Sequence, residues 1–412
     1  MKKYYFQCTN CGKSYQKEEV QYLCPVCDAM NDDKHPPKGV LKTLYHYDQI
    51  IEKFGKLNLF QELSKKGFID LLPIHSLHSM GYLKVGQTPL YNIDILQDEI
   101  LDFSLLLKDD AQNPTASFKD RASVLVSAFA KENNIDTIVA ASTGNAGSSL
   151  AGICASQQQK AIVFVPSTAP LAKLTQIVMY GATIIPVDGN YDAAFDLSIQ
   201  ASKHFGWYNR NTAFNPFTIE GKKTVAFELF AQMKEQIPDR IFVPVGDGVI
   251  ISGVYKGFED LFQLGIIDKM PVIVAVQSEG SRNLIENMLS DDWKCIPSTT
   301  IADSISVDIP RNFYMAKDYL LKYKGEWIAV SDNEIIDASG ILSKNTGIFA
   351  EPAATAAFAG MLKYKKMNKF KNESKNVVLL TGSGLKDLKS VASLVQIPEA
   401  IPATLEAVCK LF

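Results

Sequence analysis

RIFVPVGDGVIISGVYKGFEDLF occupies residues 240–262. Its first residues form an unalternated, β-branched and aromatic run, the pattern of a strand covered on both faces. Gly246 and Gly248 then mark a turn, and the rest carries apolar residues at helical spacing. The same grammar recurs outward from this point. DTIVAAS (136–142), AIVFVP (161–166), ATIIPV (182–187), PVIVAV (271–276) and NVVLLTG (376–382) read as further buried strands. SVLVSAFAKEN, AAFDLSIQASKHF, TVAFELFAQMKEQ and NEIIDASGILSKN read as the helices between them, and Gly360 as the end of the helix AATAAFAG. Strand and helix in succession imply right-handed crossovers and an α/β architecture, with two parallel sheets rather than one overextended sheet.

With 412 residues, 47% of them hydrophobic, the chain is long enough for two or three domains and a sizeable core. A formal net charge of -3 supplies no general attraction for nucleic acid or an anionic membrane, so neither is expected as a partner. No run of eighteen apolar residues occurs, and MKKYYFQCTNCGKSY lacks the apolar centre of a secretory signal; the expected location is the cytoplasm. Four of the seven cysteines, Cys8, Cys11, Cys24 and Cys27, form two CxxC knuckles. In a reducing compartment this spacing fits a thiolate cage for structural zinc better than disulfides.

In α/β folds ligands sit where strands end and helices begin. Three such turns stand out: STGNAGSS (142–149), GDGVIISG (246–253) and TGSGLKD (381–387). Free main-chain N–H groups at the second would cradle a phosphate. There is no Walker A loop, GxGxxG, GxSxG or HExxH. A fourth stretch, NPTASFKDRAS (113–123), puts Lys119 where a helical pattern starts. By itself that lysine reads as a surface charge. A phosphate cradle, an amide, a hydroxyl and a lysine are together the needs of pyridoxal phosphate chemistry.

With GQTPL, NPTASFKDR, STGN, NPFTIEGKKT, VPVGDGVIISGVYKGF, EPAAT and TGSGLKD in this order behind the cysteine knuckles, the chain resembles the threonine synthases. These belong to the pyridoxal-phosphate enzymes of the tryptophan synthase β-subunit fold (fold type II). The resemblance implies a zinc ribbon over 1–35, a large cofactor-binding α/β domain from 36–120 and 215–412, and a smaller α/β domain over 121–214. It implies that Lys119 carries the cofactor covalently and acts as catalytic base. Asn145 would bond the ring oxygen, Gly246, Asp247, Gly248, Val249 and Ile250 would hold the phosphate, and Thr381 would face the ring nitrogen. Ser142, Thr143, Thr218 and Lys222 are the expected substrate contacts. A homodimer acting on a small amino acid is also implied.

Three positions depart from the family pattern. Ala146 replaces a threonine, Ala213 a serine and Thr218 an arginine, all expected on the substrate's phosphate. Lys222, in place of a glutamine, and Arg210 nearby are the cations available to compensate. Ala116 replaces a glycine, and the Asp247 carboxylate must turn away from the cradled anion. Three readings stay open: a threonine synthase acting on O-phosphohomoserine, a related lyase or β-replacement enzyme acting on an unphosphorylated amino acid, and a zinc-ribbon binding module on a catalytically silent body. The ribbon mixes Lys2, Lys3, Lys13 and Lys17 with five acids, Glu18, Glu19, Asp28, Asp32 and Asp33, which is no basic patch.

Overall fold

The computed structural model describes residues 3–290 and 292–412; Met1, Lys2 and Asp291 lie outside the described residues. Near the N-terminus β1 (Tyr4–Cys8), β2 (Ser14–Gln16) and β3 (Leu41–Tyr45) make a small antiparallel sheet in the order β2-β1-β3. Its third strand lies beyond residue 35. There follow β4 (Leu90–Leu96), β5 (Glu99–Asp109), β6 (Thr137–Ala141), β7 (Lys160–Pro166), β8 (Thr183–Val187), β9 (Tyr208–Asn209), β10 (Arg240–Pro244), β11 (Val272–Ser278), β12 (Glu326–Val330) and β13 (Lys375–Leu380). They form a six-stranded sheet, β12-β11-β10-β13-β5-β4, and a four-stranded sheet, β8-β7-β6-β9.

All six runs read as buried strands are strands. The expectation of two parallel sheets is met by the four-stranded one, whereas the larger is mixed, because β4 runs antiparallel to β5 in a hairpin. Gly360 does not end its helix. The helix runs Pro352–Lys366, and the missing side chain lets Val276 approach to 2.7 Å from where a Cβ would stand. No helix among the described residues is long and apolar enough to cross a membrane.

The carboxyl ends of β10, β13 and β5 lie side by side at the middle of the large sheet, so the loops that leave them converge. Between the helices Lys119–Glu132 and Val249–Gln263 packs the helix Phe217–Lys222, buried throughout. At Gly221 an added Cβ would come within 2.0 Å of the Arg121 carbonyl, so this helix and the helix Lys119–Glu132 cross backbone to backbone.

The small N-terminal sheet rests on the same helix. Tyr4 and Phe6 meet Phe217 with ring centroids 5.8 and 5.9 Å apart, and Tyr22 stacks on Phe214 at 4.4 Å. The Tyr45 hydroxyl donates to Glu220 at 2.6 Å, the Tyr47 hydroxyl to Asp260 at 2.6 Å, and Lys42 pairs with Glu259 at 2.5 Å. Aromatic area and charge-assisted bonds therefore fix the ribbon onto the body.

Candidate active site

Lys119 opens the helix Lys119–Glu132 just after the end of β5. The loop before it is pinned to the end of β13: Phe118 N–H donates to the Thr381 carbonyl at 2.8 Å and Ser383 N–H to the Ala116 carbonyl at 3.1 Å. Ala116 sits at φ +61°, a left-handed conformation, which is why glycine is the ordinary residue there. The Lys119 amine has no hydrogen-bond or ion-pair partner among the described residues. Burial lowers its pKa, and Arg210 lowers it further while Glu351 and Asp247 oppose. An amine held in this way is more readily neutral, and so nucleophilic and basic, than a surface lysine.

Lys119 lines a cavity of about 510 Å³ between the two larger sheets. Ser142, Thr143, Asn145 and Ala146 line it from the turn after β6, Arg210 and Lys222 from the segment 210–222, and residues 244–251 from the turn after β10. Residues 303–309 and Arg311 close another side. The N–H groups of Gly246, Asp247, Gly248, Val249 and Ile250 have no hydrogen-bond partner among the described residues, and the last two begin the helix Val249–Gln263. Gly248 stands at φ +82°, and a Cβ there would lie 3.0 Å from Ala316 and 3.2 Å from the Asn312 carbonyl. The turn thus presents bare main chain to the cavity. The Asp247 carboxylate accepts from Arg311 N–H at 3.0 Å, and burial raises its pKa.

Thr218 and Thr381 do not line the cavity. The Thr218 hydroxyl donates to the Asn215 carbonyl at 2.8 Å, and Thr381 is buried at the end of β13. Sequence reasoning assigns no role to Glu351, the first residue of EPAAT. The Asn145 amide donates to both Glu351 carboxylate oxygens at 2.9 Å, and burial raises the pKa of that carboxyl against the pull of Asn145 and Lys119. Its signal was a carboxylate just ahead of a proline at a helix start.

A lysine amine, unpartnered main-chain donors and an amide around one cavity fit the aldehyde, phosphate and ring hydroxyl of pyridoxal phosphate. Two ion pairs involve residues of the cavity wall: Arg311 with Asp192, both lining it, and the lining Asp303 with Lys173 at 2.8 Å. In the ribbon the sulfurs of Cys8, Cys11, Cys24 and Cys27 lie within 4.8 Å of one another, close enough for one ion.

Comparison with known proteins agrees with this chemistry. The family model described as "Pyridoxal-phosphate dependent enzyme" matches residues 82–382. The threonine synthase of Methanocaldococcus jannaschii is 35% identical over 386 residues, 92% of each chain. That of Methanosarcina acetivorans is 32% identical over 409 residues, 98% of each chain. Among solved structures, threonine deaminase isoform 2 from Solanum lycopersicum superposes with a TM-score of 0.63 at 21% identity, covering 75% of this chain and 84% of its own. Diaminopropionate ammonia lyase from Escherichia coli gives 0.65 at 19%, covering 78% and 93%.

Proposed function

Because the chain belongs to the pyridoxal-phosphate dependent enzymes and, among them, to the threonine synthase family, we infer that it converts O-phosphohomoserine and water to threonine and inorganic phosphate. One observation carries the assignment of the site. Lys119, half-buried and with no partner among the described residues, shares a cavity with a row of unpartnered main-chain N–H groups. A catalytically silent body is thereby set aside: the chain is a pyridoxal-phosphate dependent, threonine-synthase-like enzyme.

In this reading Lys119 Nζ holds the cofactor and the donors of residues 246–250 receive its phosphate. Pyridoxal phosphate, when bound, supplies an electron sink for charge developing beside the substrate's amino group. Asn145, freed from Glu351, faces the ring oxygen, and Thr381 is assigned the ring nitrogen. A hydroxyl there does not force a proton onto the ring, which suits elimination and replacement at the side chain. Lys119 Nζ takes the α-proton of the substrate, a role supported by its lowered pKa. Ser142 and Thr143 offer hydroxyls, and Thr143 its main-chain N–H, to the substrate carboxylate at the mouth of the turn. Residues 303–309, with the Arg311–Asp192 and Lys173–Asp303 pairs, narrow the entrance to water.

The clustered cysteines are assigned a structural zinc, since four thiolates leave no open position. A ribbon, a large domain on the six-stranded sheet and a smaller one on the four-stranded sheet are the proposed units. Thiolates that must stay reduced favour the cytoplasm. A homodimer is supported by apolar side chains left exposed, among them Leu385, Ile397 and Leu411.

A second reading, a lyase for an unphosphorylated amino acid, is favoured by Ala146, Ala213 and the tied hydroxyl of Thr218. Incubation with O-phosphohomoserine separates the two readings. Release of phosphate with formation of threonine supports the first, and keto-acid formation from serine or threonine alone supports the second. Lys119→Ala is expected to abolish the visible absorption of the protein-bound cofactor and to lower turnover at least about a thousandfold. Survival of both the band and the turnover removes Lys119 from its role.

A further inference from the structure

Six basic side chains are fully buried among the described residues: Lys108, Arg121, Arg210, Lys222, Lys223 and Lys256. Four of them meet carboxylates. Lys108 pairs with Glu228 at 2.9 Å, Arg121 with Asp110 at 2.6 Å, Lys223 with Asp260 at 2.7 Å, and Lys256 also with Asp260. The other two, Arg210 and Lys222, form no ion pair with a described residue, and both line the cavity. Arg210 Nε donates to Ser123 Oγ at 3.2 Å, while its Nη2 is buried with no hydrogen-bond partner among the described residues. Lys222 Nζ reaches Thr212 Oγ1 only at 3.5 Å. Burial of an unpaired charge is among the costliest arrangements in a fold. Two such charges facing one cavity mark the place of an anion that arrives from outside.

The helix Phe217–Lys222 tells which anion. Thr218 on it is tied to the Asn215 carbonyl and does not reach the cavity, whereas Lys222, one turn later, lines it. The cations at the cavity are thus Lys222 and Arg210, the latter from the segment after β9.

Resting on the reading that this cavity is the active site, we propose that Arg210 and Lys222 form a rebuilt subsite for the phosphate of the substrate. The pair does the work of the threonine, serine and arginine that the family places where this chain has Ala146, Ala213 and Thr218. The cradle at 246–250 is left to the cofactor, and the pair sets the preference for a phosphate ester over a neutral side chain.

The test uses the holoenzyme, with inorganic phosphate as probe. In the wild type, phosphate competes with O-phosphohomoserine, and chloride at equal ionic strength does not. Arg210→Gln and Lys222→Gln each raise KM and the inhibition constant of phosphate about ten- to hundredfold, while kcat falls much less. Lys222→Arg, which keeps the charge, restores most of the loss. Titration of each apo variant with pyridoxal phosphate, read by absorbance, shows an affinity within about threefold of wild type.

Three results overturn the proposal: no competition by phosphate in the wild type, KM and phosphate inhibition unmoved in both variants, or a loss confined to cofactor affinity. The last would hand the pair to the cofactor's phosphate. An inactive wild type that binds no cofactor would instead sink the underlying function, and so is told apart.

Discussion

Lys222 and Lys223 are neighbours in sequence, both with no exposed surface, and they live in opposite electrostatic worlds. Lys223 is held by Glu220 and Asp260, and Tyr45 lies under its ammonium at 4.2 Å from the ring centre. Lys222, pointing to the cavity, has one long contact to a hydroxyl. Burial lowers the pKa of both, but for Lys223 the two carboxylates oppose the shift, and for Lys222 Arg210 and Lys119 deepen it. The difference separates a charge the fold uses to hold itself together from a charge it keeps available.

The largest expected effect strikes the paired side. Lys223→Met leaves Glu220 and Asp260 with Lys256 as the one cation beside both and is expected to destabilise the protein by about 3–5 kcal/mol. A urea titration checks it, and a loss under about 1 kcal/mol would erase the distinction.

Lys222→Met should act in the opposite direction, raising stability by about 1–2 kcal/mol while removing the response to phosphate. The sign with pH follows from linkage. The folded pKa of Lys222 lies below the ordinary 10.5, so over the window between the two the unfolded chain binds more protons, and wild-type stability rises with pH. The advantage of the variant therefore shrinks as pH climbs toward 10.5. Phosphate at ten times its dissociation constant narrows it from the other side, stabilising only the wild type, by about 1.4 kcal/mol. Melting curves at two pH values with and without phosphate suffice, and a destabilised Lys222→Met would contradict the comparison.

The smallest effect leaves charge aside. Ala116→Gly relieves the left-handed backbone beside Lys119 and is expected to add about 0.5–1 kcal/mol at unchanged cofactor affinity. Calorimetry would detect it, and a loss of stability would place the strain elsewhere.

Much of this architecture is legible in the chain. Five of the six strands found by reading are mostly buried, so their apolar runs are uninterrupted, and the sixth, β8, keeps its apolar run although it is a half-exposed edge. The hairpin β4–β5 escapes because β4 is a largely exposed edge whose residues carry no such run, and it turns a parallel sheet into a mixed one. β12 is only partly buried and equally short of signal. That Lys119, Asn145 and the turn at 246–250 meet in one cavity is legible because each lies in a short motif where a strand gives way to a helix. The state of Arg210 and Lys222 is not. Whether a buried cation has a partner depends on Glu220, Asp260 and Glu228 arriving or failing to arrive through space, and spacing along the chain is silent about that. Glu351 is hidden for the same reason, since its contact with Asn145 bridges 206 positions.

The bond from Tyr45 to Glu220 joins residues 175 apart, so the aromatic face of the cysteine-rich segment has nothing to sit on when it leaves the ribosome. At about 5–20 residues per second the landing helix follows roughly 10–35 s later. During that interval Tyr4, Phe6 and Tyr22 stay solvent-facing, and the nascent polypeptide needs either early metal capture or a chaperone's cover to keep them from neighbouring chains. Vectorial synthesis thereby keeps the first forty-five residues from their final seat until the helix Phe217–Lys222 has followed them.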